Sequence, residues 1–496
     1  MTRSTLLLLV ASLFLTPASA ARADGTGPDW KALHERWSEG LRDLCLPGVS
    51  VGVVAGGEVV DLFAAGVRDP LKGLPVTPDT AFYIASSTKP VVAFALLMLV
   101  DEGKVDLDAK VSRYLPRFRL ATEEATDAIT VRSLLTHEHG LNSFPIVYLD
   151  AFTGEITEDR FYRFLAEVEP RGQVAYSNLH FTLVGRIIEA VSGKPWRVFL
   201  EERIFAPAGM TRTTGFADQM YAREDVAFPT LYRDGEHVFC PVRKTDRTMH
   251  AAGGLGTSAR DGARWLLLNL QGGTIGGKRL LSEKRARDMQ VLHARNESAI
   301  GQVARDGYGL AWAVGTWEGR RALEHGGGYA ASSARFTFLP DDGIGVVVLV
   351  NGDGPAGSFA DQITGDVLAA FTGVEVEDGL PGLIRVERRQ RPRRERSLPR
   401  GTNPAEEEGG LSLGREAYAG TYAHDDWGTV TLTVEDGRLT GRAGDLPVTL
   451  FSRGRDEVRV ILGLDQEATG AFRIDGDKVV GLELELPAAA VVFRRR

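Results

Sequence analysis

Ile84-Ala85-Ser86-Ser87-Thr88-Lys89-Pro90 runs without a break into Val91-Val92-Ala93-Phe94-Ala95-Leu96-Leu97-Met98-Leu99-Val100. The apolar run reads as a buried helix that Pro90 opens and Gly103 ends, because proline's missing N–H costs nothing in a first turn. If Ser86 stands at the start of that helix, Lys89 lies one turn further on the same face, with Cβ atoms about 5–6 Å apart. A serine hydroxyl is a weak nucleophile until a base takes its proton. A lysine in apolar surroundings can shed its charge and act as that base. The helix N-terminus favours negative charge developing beside it. Alone, Ser-x-x-Lys also recurs by chance, so its weight depends on what accompanies it.

Outward from this stretch the pattern is mixed. Trp30 to Leu44 reads as a helix with Leu33, Trp37 and Leu41 at helical spacing. Val49 to Ala55 and Val59 to Ala65 are strand-like and split by Gly56-Gly57, a hairpin signal. Phe181 to Val191 and Ser258 to Leu270 read as helices, the second with Ser258 and Asp261 as a capping box in its acidic form. Gly309 to Val314, Ala331 to Leu339 and Ile344 to Asn351 read as strands, and Ala356 to Phe371 as a last helix. Strands at both ends with helices between predict one α+β unit whose terminal strands share an antiparallel sheet flanked by helices.

After Gly373 the texture changes. Arg385 to Arg400 holds eight arginines, and Glu406-Glu407-Glu408 follow. The run is expected to be a solvated linker between domains. From Tyr418 the chain is all β, with hairpin turns at Asp436-Gly437 and Asp475-Gly476, which predicts a small barrel. The expected division is residues 1–23 as a signal peptide, 24–374 as the first domain, 375–412 as the charged linker and 413–496 as the barrel.

Composition narrows the function. The chain has 496 residues, 58 Lys plus Arg against 66 Asp plus Glu, and a formal net charge of −8. That balance gives no general attraction to nucleic acid or anionic lipid. Arg3, the apolar run Leu6 to Leu15 and the small residues Ala18-Ser19-Ala20 and Ala21-Arg22-Ala23 read as a cleavable signal, too short to span a membrane. The mature chain is expected to be periplasmic or secreted, with no stable membrane insertion. Cys45 and Cys240 are the only cysteines, so they are either two free thiols or one long-range bridge.

Two further clusters carry polar chemistry. Tyr176-Ser177-Asn178 precedes the Phe181 helix. A tyrosine beside an ammonium can pass a proton to a leaving group, and Asn178 offers a donor and an acceptor. Glu324-His325-Gly326-Gly327-Gly328-Tyr329 leads into the strand from Ala331. Its glycines let backbone N–H groups approach an oxyanion. His137-Glu138-His139 lacks a third ligand and reads as structural, so no metal site is expected. Gly-x-Ser-x-Gly occurs around Ser50 and Ser412, but neither has the strand-to-helix turn that this motif needs.

Taken in order, Ser86 to Lys89, Tyr176 to Asn178 and His325 to Gly327 resemble the three motifs of the serine β-lactamase and penicillin-binding-protein-like hydrolase superfamily. The resemblance is to its branch of class C β-lactamases, D-aminopeptidases and family VIII esterases. It covers roughly Trp30 to Phe371, and the region from Tyr418 is similar to the small barrel appended to many of these hydrolases. Leu134-Leu135-Thr136-His137, Ala252-Gly253-Gly254-Leu255 and Tyr308-Gly309-Leu310 support it.

The resemblance implies a cofactor-independent hydrolase with Ser86 acylated, Lys89 or Tyr176 as its base, and Tyr176 as proton shuttle. It implies that Asn178 orients the substrate, that His325 and Gly327 line the site, and that the amides of Ser86 and Gly328 form an oxyanion hole. A β-lactamase of this branch has Lys where His325 stands, and a neutral His weakens carboxylate recognition. The expected substrate is therefore an ester, amide or short peptide, with esterase or D-amino-acid-directed peptidase activity ahead of DD-peptidase or β-lactamase activity. A non-catalytic binding or sensor protein on the same fold is the alternative from another class.

Overall fold

A computed structural model of the chain describes residues 27–300, 302–397, 410–464 and 466–496. The signal peptide expected over residues 1–23 lies outside the described residues. β1 (Gly48–Ala55) and β2 (Glu58–Asp69) form the hairpin expected around Gly56-Gly57, and β3 (Leu74–Pro75) extends it. The far end of the unit supplies β4 (Ala294–Ile300), β5 (Val303–Tyr308), β6 (Ala313–Trp317), β7 (Arg320–Tyr329), β8 (Ser332–Leu339) and β9 (Ile344–Val350). The sheet order is β4-β5-β6-β7-β8-β9-β1-β2-β3, with every neighbour antiparallel. Val49 lies opposite Val350 and Val51 opposite Val348, so the ends of the unit do share one antiparallel sheet. β1 is buried throughout, which is why it reads as a continuous apolar run rather than an alternating one.

The helices are α1 (Trp30–Asp43), α2 (Lys89–Asp101), α3 (Asn178–Ser192), α4 (Ala259–Leu270) and α5 (Ala356–Thr372). On one face of the sheet Trp37 of α1 and Phe359 and Ile363 of α5 pack on Val49, Val51 and Val53. The other face carries the larger core, with α2 buried from Lys89 to Val100 beside α3 and α4. Ser258 caps α4 by accepting from the Asp261 N–H at 3.2 Å. The reciprocal half of the expected capping box is replaced. The Asp261 carboxylate instead accepts from the Arg212 N–H at 2.7 Å and the Thr213 hydroxyl at 2.9 Å, donors supplied by a distant segment.

The arginine-rich run differs from the expected solvated linker. Residues 380–397 form a helix, α6 (Leu380–Ser397), with Leu380 in the core behind α1 and α5. Glu387 is 3% exposed and accepts from Arg391 at 2.9 Å and from Arg394 at 2.7 Å. Arg394 also pairs with Asp353 at 3.4 Å, and Arg388 with Asp43 at 3.5 Å. Glu387 within the helix and the remote Asp43 and Asp353 pair with its arginines, and nothing in the local run announces the remote two.

The C-terminal region is a closed antiparallel barrel of β10 (Gly420–His424), β11 (Gly428–Glu435), β12 (Arg438–Ala443), β13 (Leu446–Ser452), β14 (Glu457–Leu462), β15 (Gln466–Asp475), β16 (Lys478–Leu486) and β17 (Ala489–Arg495). β10 closes on β17 through Tyr422 and Arg495. Asp436 and Gly437 both have positive φ, at 48° and 73°, as the hairpin turn between β11 and β12 requires. β12 and β17 show little apolar alternation and owe their strand conformation to pairing with their barrel neighbours. Trp427 seats the barrel on the first unit against Phe144, Tyr148 and Phe164. Both cysteines are free thiols, Cys240 buried and Cys45 partly so.

Candidate active site

Ser86 lies in a single 3-10 turn, Ala85–Thr88, that runs directly into α2. The preceding Ala85 has φ 45°, a left-handed conformation unusual for a residue with a Cβ. Lys89 opens α2 with its side chain wholly buried. Its Nζ is 3.1 Å from Ser86 Oγ, 2.8 Å from Asn178 Oδ1 and 2.7 Å from the Ala252 carbonyl oxygen. The Tyr176 ring centroid is 4.6 Å away. The first two sequence clusters therefore meet at one point.

Burial pushes the Lys89 pKa well below the usual lysine value. A neutral amine has two N–H donors and one lone pair. The two shorter contacts, to Asn178 and Ala252, accept those donors and leave the lone pair for the Ser86 hydroxyl. The same amine in its charged form could only donate to Ser86.

Asn178 is the first residue of α3, and Ser177 caps that helix by accepting from the Leu179 N–H at 3.1 Å. This cap turns Asn178 inward and leaves Tyr176 on the cleft wall, 43% exposed. Desolvation raises the Tyr176 pKa above the phenol range, and a hydrogen bond with Ser86 pulls the other way. The ring stays a protonated phenol and a potential acid. His137 supports it from behind with centroids 4.7 Å apart, and its Nδ1 accepts from the Ser177 N–H at 3.2 Å. This supporting role was not read from the sequence. The signal available was the non-glycine positive φ of 61° that places His137 there, which only the fold reveals. Among the described residues no group of three His, Cys, Asp or Glu side chains is placed to hold a metal ion.

The third cluster is itself a strand, β7, rather than a glycine-rich lead into one. β6 covers β7 only as far as Ala313 opposite Glu324, so from His325 onward that edge has no strand beside it and faces the Ser86 turn. The contact is close. A Cβ on Gly327 would stand 2.0 Å from the Ile84 carbonyl oxygen and 3.0 Å from the Ser87 nitrogen. Ser87 Oγ donates to the His325 carbonyl at 3.1 Å. Gly328, one residue further, is less confined, with only the Ser332 carbonyl oxygen within ordinary contact at 3.9 Å of a Cβ there.

His325 is buried, and desolvation followed by the nearby Lys89 lowers its pKa to about 3. Its Nδ1 is 2.7 Å from the Gly326 carbonyl, an atom that only accepts, so Nδ1 carries the proton and Nε2 is left as an acceptor.

The cleft is about 500 Å³ and is lined by Ser86, Tyr176, Arg305, Glu324, His325 and Arg335 among others. Arg305 lies 3.4 Å from Glu324, and Arg335 pairs with Asp361 at 2.6 Å. Burial raises the Glu324 pKa to about 7, against the pull of Arg335 and Arg305. Glu324 opens the third cluster, whereas Arg305 and Arg335 lie in no motif and reach the cleft only because β5 and β8 stand in the same sheet as β7.

The family model described as Beta-lactamase matches residues 35–371. Penicillin-binding protein 4 of Amycolatopsis lactamdurans is 29% identical over 361 residues, 70% of this chain and 92% of that protein. Esterase EstB of Burkholderia gladioli is 32% identical over 42% of this chain and 56% of its own length. The octameric penicillin-binding protein homologue from Pyrococcus abyssi has the same fold over 94% of this chain and 100% of its own, with TM-score 0.61 and 23% identity. The D-amino acid amidase from Ochrobactrum anthropi SV3 superposes with TM-score 0.56 at 23% identity, over 69% of this chain and 99% of its own.

Proposed function

The chain belongs to the Beta-lactamase family, and on that premise we propose that it is an exported serine hydrolase that acts through an acyl-enzyme on an ester or an amide. The observation that carries this reading is the fully buried Lys89, whose Nζ lies 3.1 Å from Ser86 Oγ while Asn178 and Ala252 occupy its other contacts. Ser86 Oγ attacks the substrate carbonyl carbon as its proton passes to Lys89 Nζ. The N–H groups of Ser86 and Gly328 take the oxyanion. When the tetrahedral adduct collapses, Tyr176 gives its hydroxyl proton to the departing oxygen or nitrogen and regains one from Lys89. Water then adds to the acyl-enzyme, its proton returns through Tyr176 and Lys89, and Ser86 leaves as the alcohol. Asn178 holds both Lys89 and the substrate, and His325 and Gly327 form the opposite wall.

Within this class the acceptor face of neutral His325 favours an esterase or a D-amino-acid-directed peptidase. The relatives named as an esterase and a D-amino acid amidase are in keeping with that. One observation favours a second reading, a DD-peptidase or β-lactamase: Arg305 and Arg335 line the same cleft and supply cations that the third motif lacks. Export rests on the leader-like first 23 residues, and no helix among the described residues is long and apolar enough to cross a membrane.

The test is turnover of a short-chain nitrophenyl ester, a D-alanine anilide and a chromogenic cephalosporin by the purified chain and by Ser86→Ala. Turnover of any of them by the wild type alone supports the reading, and the preferred substrate names the subclass. Absence of both turnover and a mass-detectable acyl adduct overturns it in favour of a binding protein.

A further inference from the structure

Lys244 is a second buried lysine, 3% exposed and outside the three motifs. Its Nζ donates to the Ala151 carbonyl at 2.5 Å and stands 4.1 Å from the Tyr329 ring centroid, 5.5 Å from Phe152 and 6.0 Å from Tyr83. Among the described residues it makes no ion pair, and burial lowers its pKa to about 7 while Asp150 pulls the other way. An amine buried in an aromatic box without a salt bridge is costly to charge, and packing alone does not call for one there.

The rings of this box continue the catalytic segments. Tyr329 is the last residue of β7 and follows Gly328 directly. Tyr83 lies three residues before Ser86, and its hydroxyl donates to the Gly253 carbonyl, next to the Ala252 carbonyl that holds Lys89. Lys244 thus touches extensions of both oxyanion-hole segments.

The other side of the box is held by the barrel. Asp445, in the turn between β12 and β13, donates its N–H to the Thr153 carbonyl at 2.8 Å, two residues after Ala151. Its carboxylate accepts from the Thr245 hydroxyl at 2.5 Å, one residue after Lys244, and from Arg247. The neighbouring Gly444 has φ 54°, and a Cβ there would come 2.3 Å from the Thr153 oxygen. The turn is built for this close approach, and Asp445 clamps together the two segments that grip Lys244.

We propose that Asp445 and Lys244 are positioning residues through which the barrel sets the geometry of the hydrolase site. Asp445 holds residues 151–153 against 244–247, and Lys244 holds Tyr329 and Tyr83, and with them Gly328 and Ser86, in the reactive arrangement. The inference rests on the serine hydrolase reading above.

The experiment compares the full chain with Asp445→Ala, Lys244→Met, the double variant, Ser86→Ala and Arg163→Ala, using the nitrophenyl ester and thermal melting. Arg163 pairs with Asp426 of the barrel, an ion pair that includes neither Lys244 nor Asp445, and serves as a docking control. The expected result is a kcat loss of about tenfold or more in Asp445→Ala with KM nearly unchanged, and a larger loss in Lys244→Met. The double variant falls no further than Lys244→Met, because both changes break one path. Arg163→Ala keeps the wild-type kcat. Asp445 lies at the domain boundary, so its variant reports even if Lys244→Met fails to fold. Unchanged kcat in Asp445→Ala, losses that multiply in the double variant, or an equal loss in Arg163→Ala each overturn the inference while leaving the hydrolase reading intact. Wild-type turnover no greater than that of Ser86→Ala overturns both.

Discussion

Gly327 passes so close beneath Ile84 that any side chain at this position would meet the Ile84 carbonyl oxygen at 2.0 Å. This contact seats β7 against the turn that carries Ser86. Gly327→Ala must push the two apart. Overpacking of this kind costs about 1–3 kcal/mol, and a comparable misplacement of the oxyanion donors corresponds to roughly a 10- to 100-fold fall in kcat/KM. Steady-state kinetics on the ester beside a thermal melt separates the two effects, and the loss of rate should exceed what the melt implies.

Lys89 should be irreplaceable even by arginine. A guanidinium does not lose its proton at any working pH, so Lys89→Arg keeps a positive charge where a base is needed. Removing a general base costs about 10²- to 10⁴-fold in kcat, and both Lys89→Arg and Lys89→Met are expected to fall in that range. Lys89→Met should retain its melting temperature better than Lys89→Arg, because an apolar chain suits a wholly buried position. Parallel rates and melts check both statements.

The pH–rate profile should have its acid limb set by Lys89. The folded pKa of Lys89 lies well below the usual lysine value, so the active neutral form is lost only as pH falls through that depressed value. Tyr176 is shifted upward and stays protonated across the same range. His325, at about 3, is already neutral and contributes no limb near neutrality. His325→Gln is expected to leave the position of the acid limb unmoved, whatever it does to the rate. A limb that disappears in His325→Gln contradicts the assignment.

Glu324 links stability to pH. Its pKa rises from 4.5 in the unfolded chain to about 7 in the fold. Between those values the folded state holds a proton that the unfolded state releases, so stability falls as pH climbs through this window. Glu324→Gln cannot titrate and should flatten that part of the curve. Chemical denaturation of both proteins at intervals from pH 4.5 to 7.5 measures the difference in slope.

Glu387 tests whether the arginine-rich helix is part of the fold. It is buried and accepts from Arg391 and Arg394, so Glu387→Ala removes the carboxylate that these two largely buried guanidinium groups share. Breaking such a pair from one side costs about 3–5 kcal/mol. Arg388→Ala, at an exposed pair with Asp43, should cost no more than about 1 kcal/mol. Equal melting temperatures for the two variants would return residues 380–397 to the status of a linker.

The amino-acid sequence by itself determined what is local. The apolar run after Pro90, the hairpin at Gly56-Gly57, the Ser258 cap and the Asp436-Gly437 turn are set by periodicity, φ preference and capping within a few residues of each position. It also placed Ser86 and Lys89 on one helical face, since their spacing is a single turn. The tertiary structure alone decided the rest. The pKa of Lys89 is depressed because the side chain is buried, and that burial brings in α3 and residue 252, far along the chain. Residues 380–397 form a seated helix because Asp43 and Asp353 reach Arg388 and Arg394 from other segments. Arg305, Glu324 and Arg335 share a cleft only because β5, β7 and β8 lie in one sheet. Charge state and ion pairing depend on what stands within a few ångströms in space, and sequence distance carries no record of that.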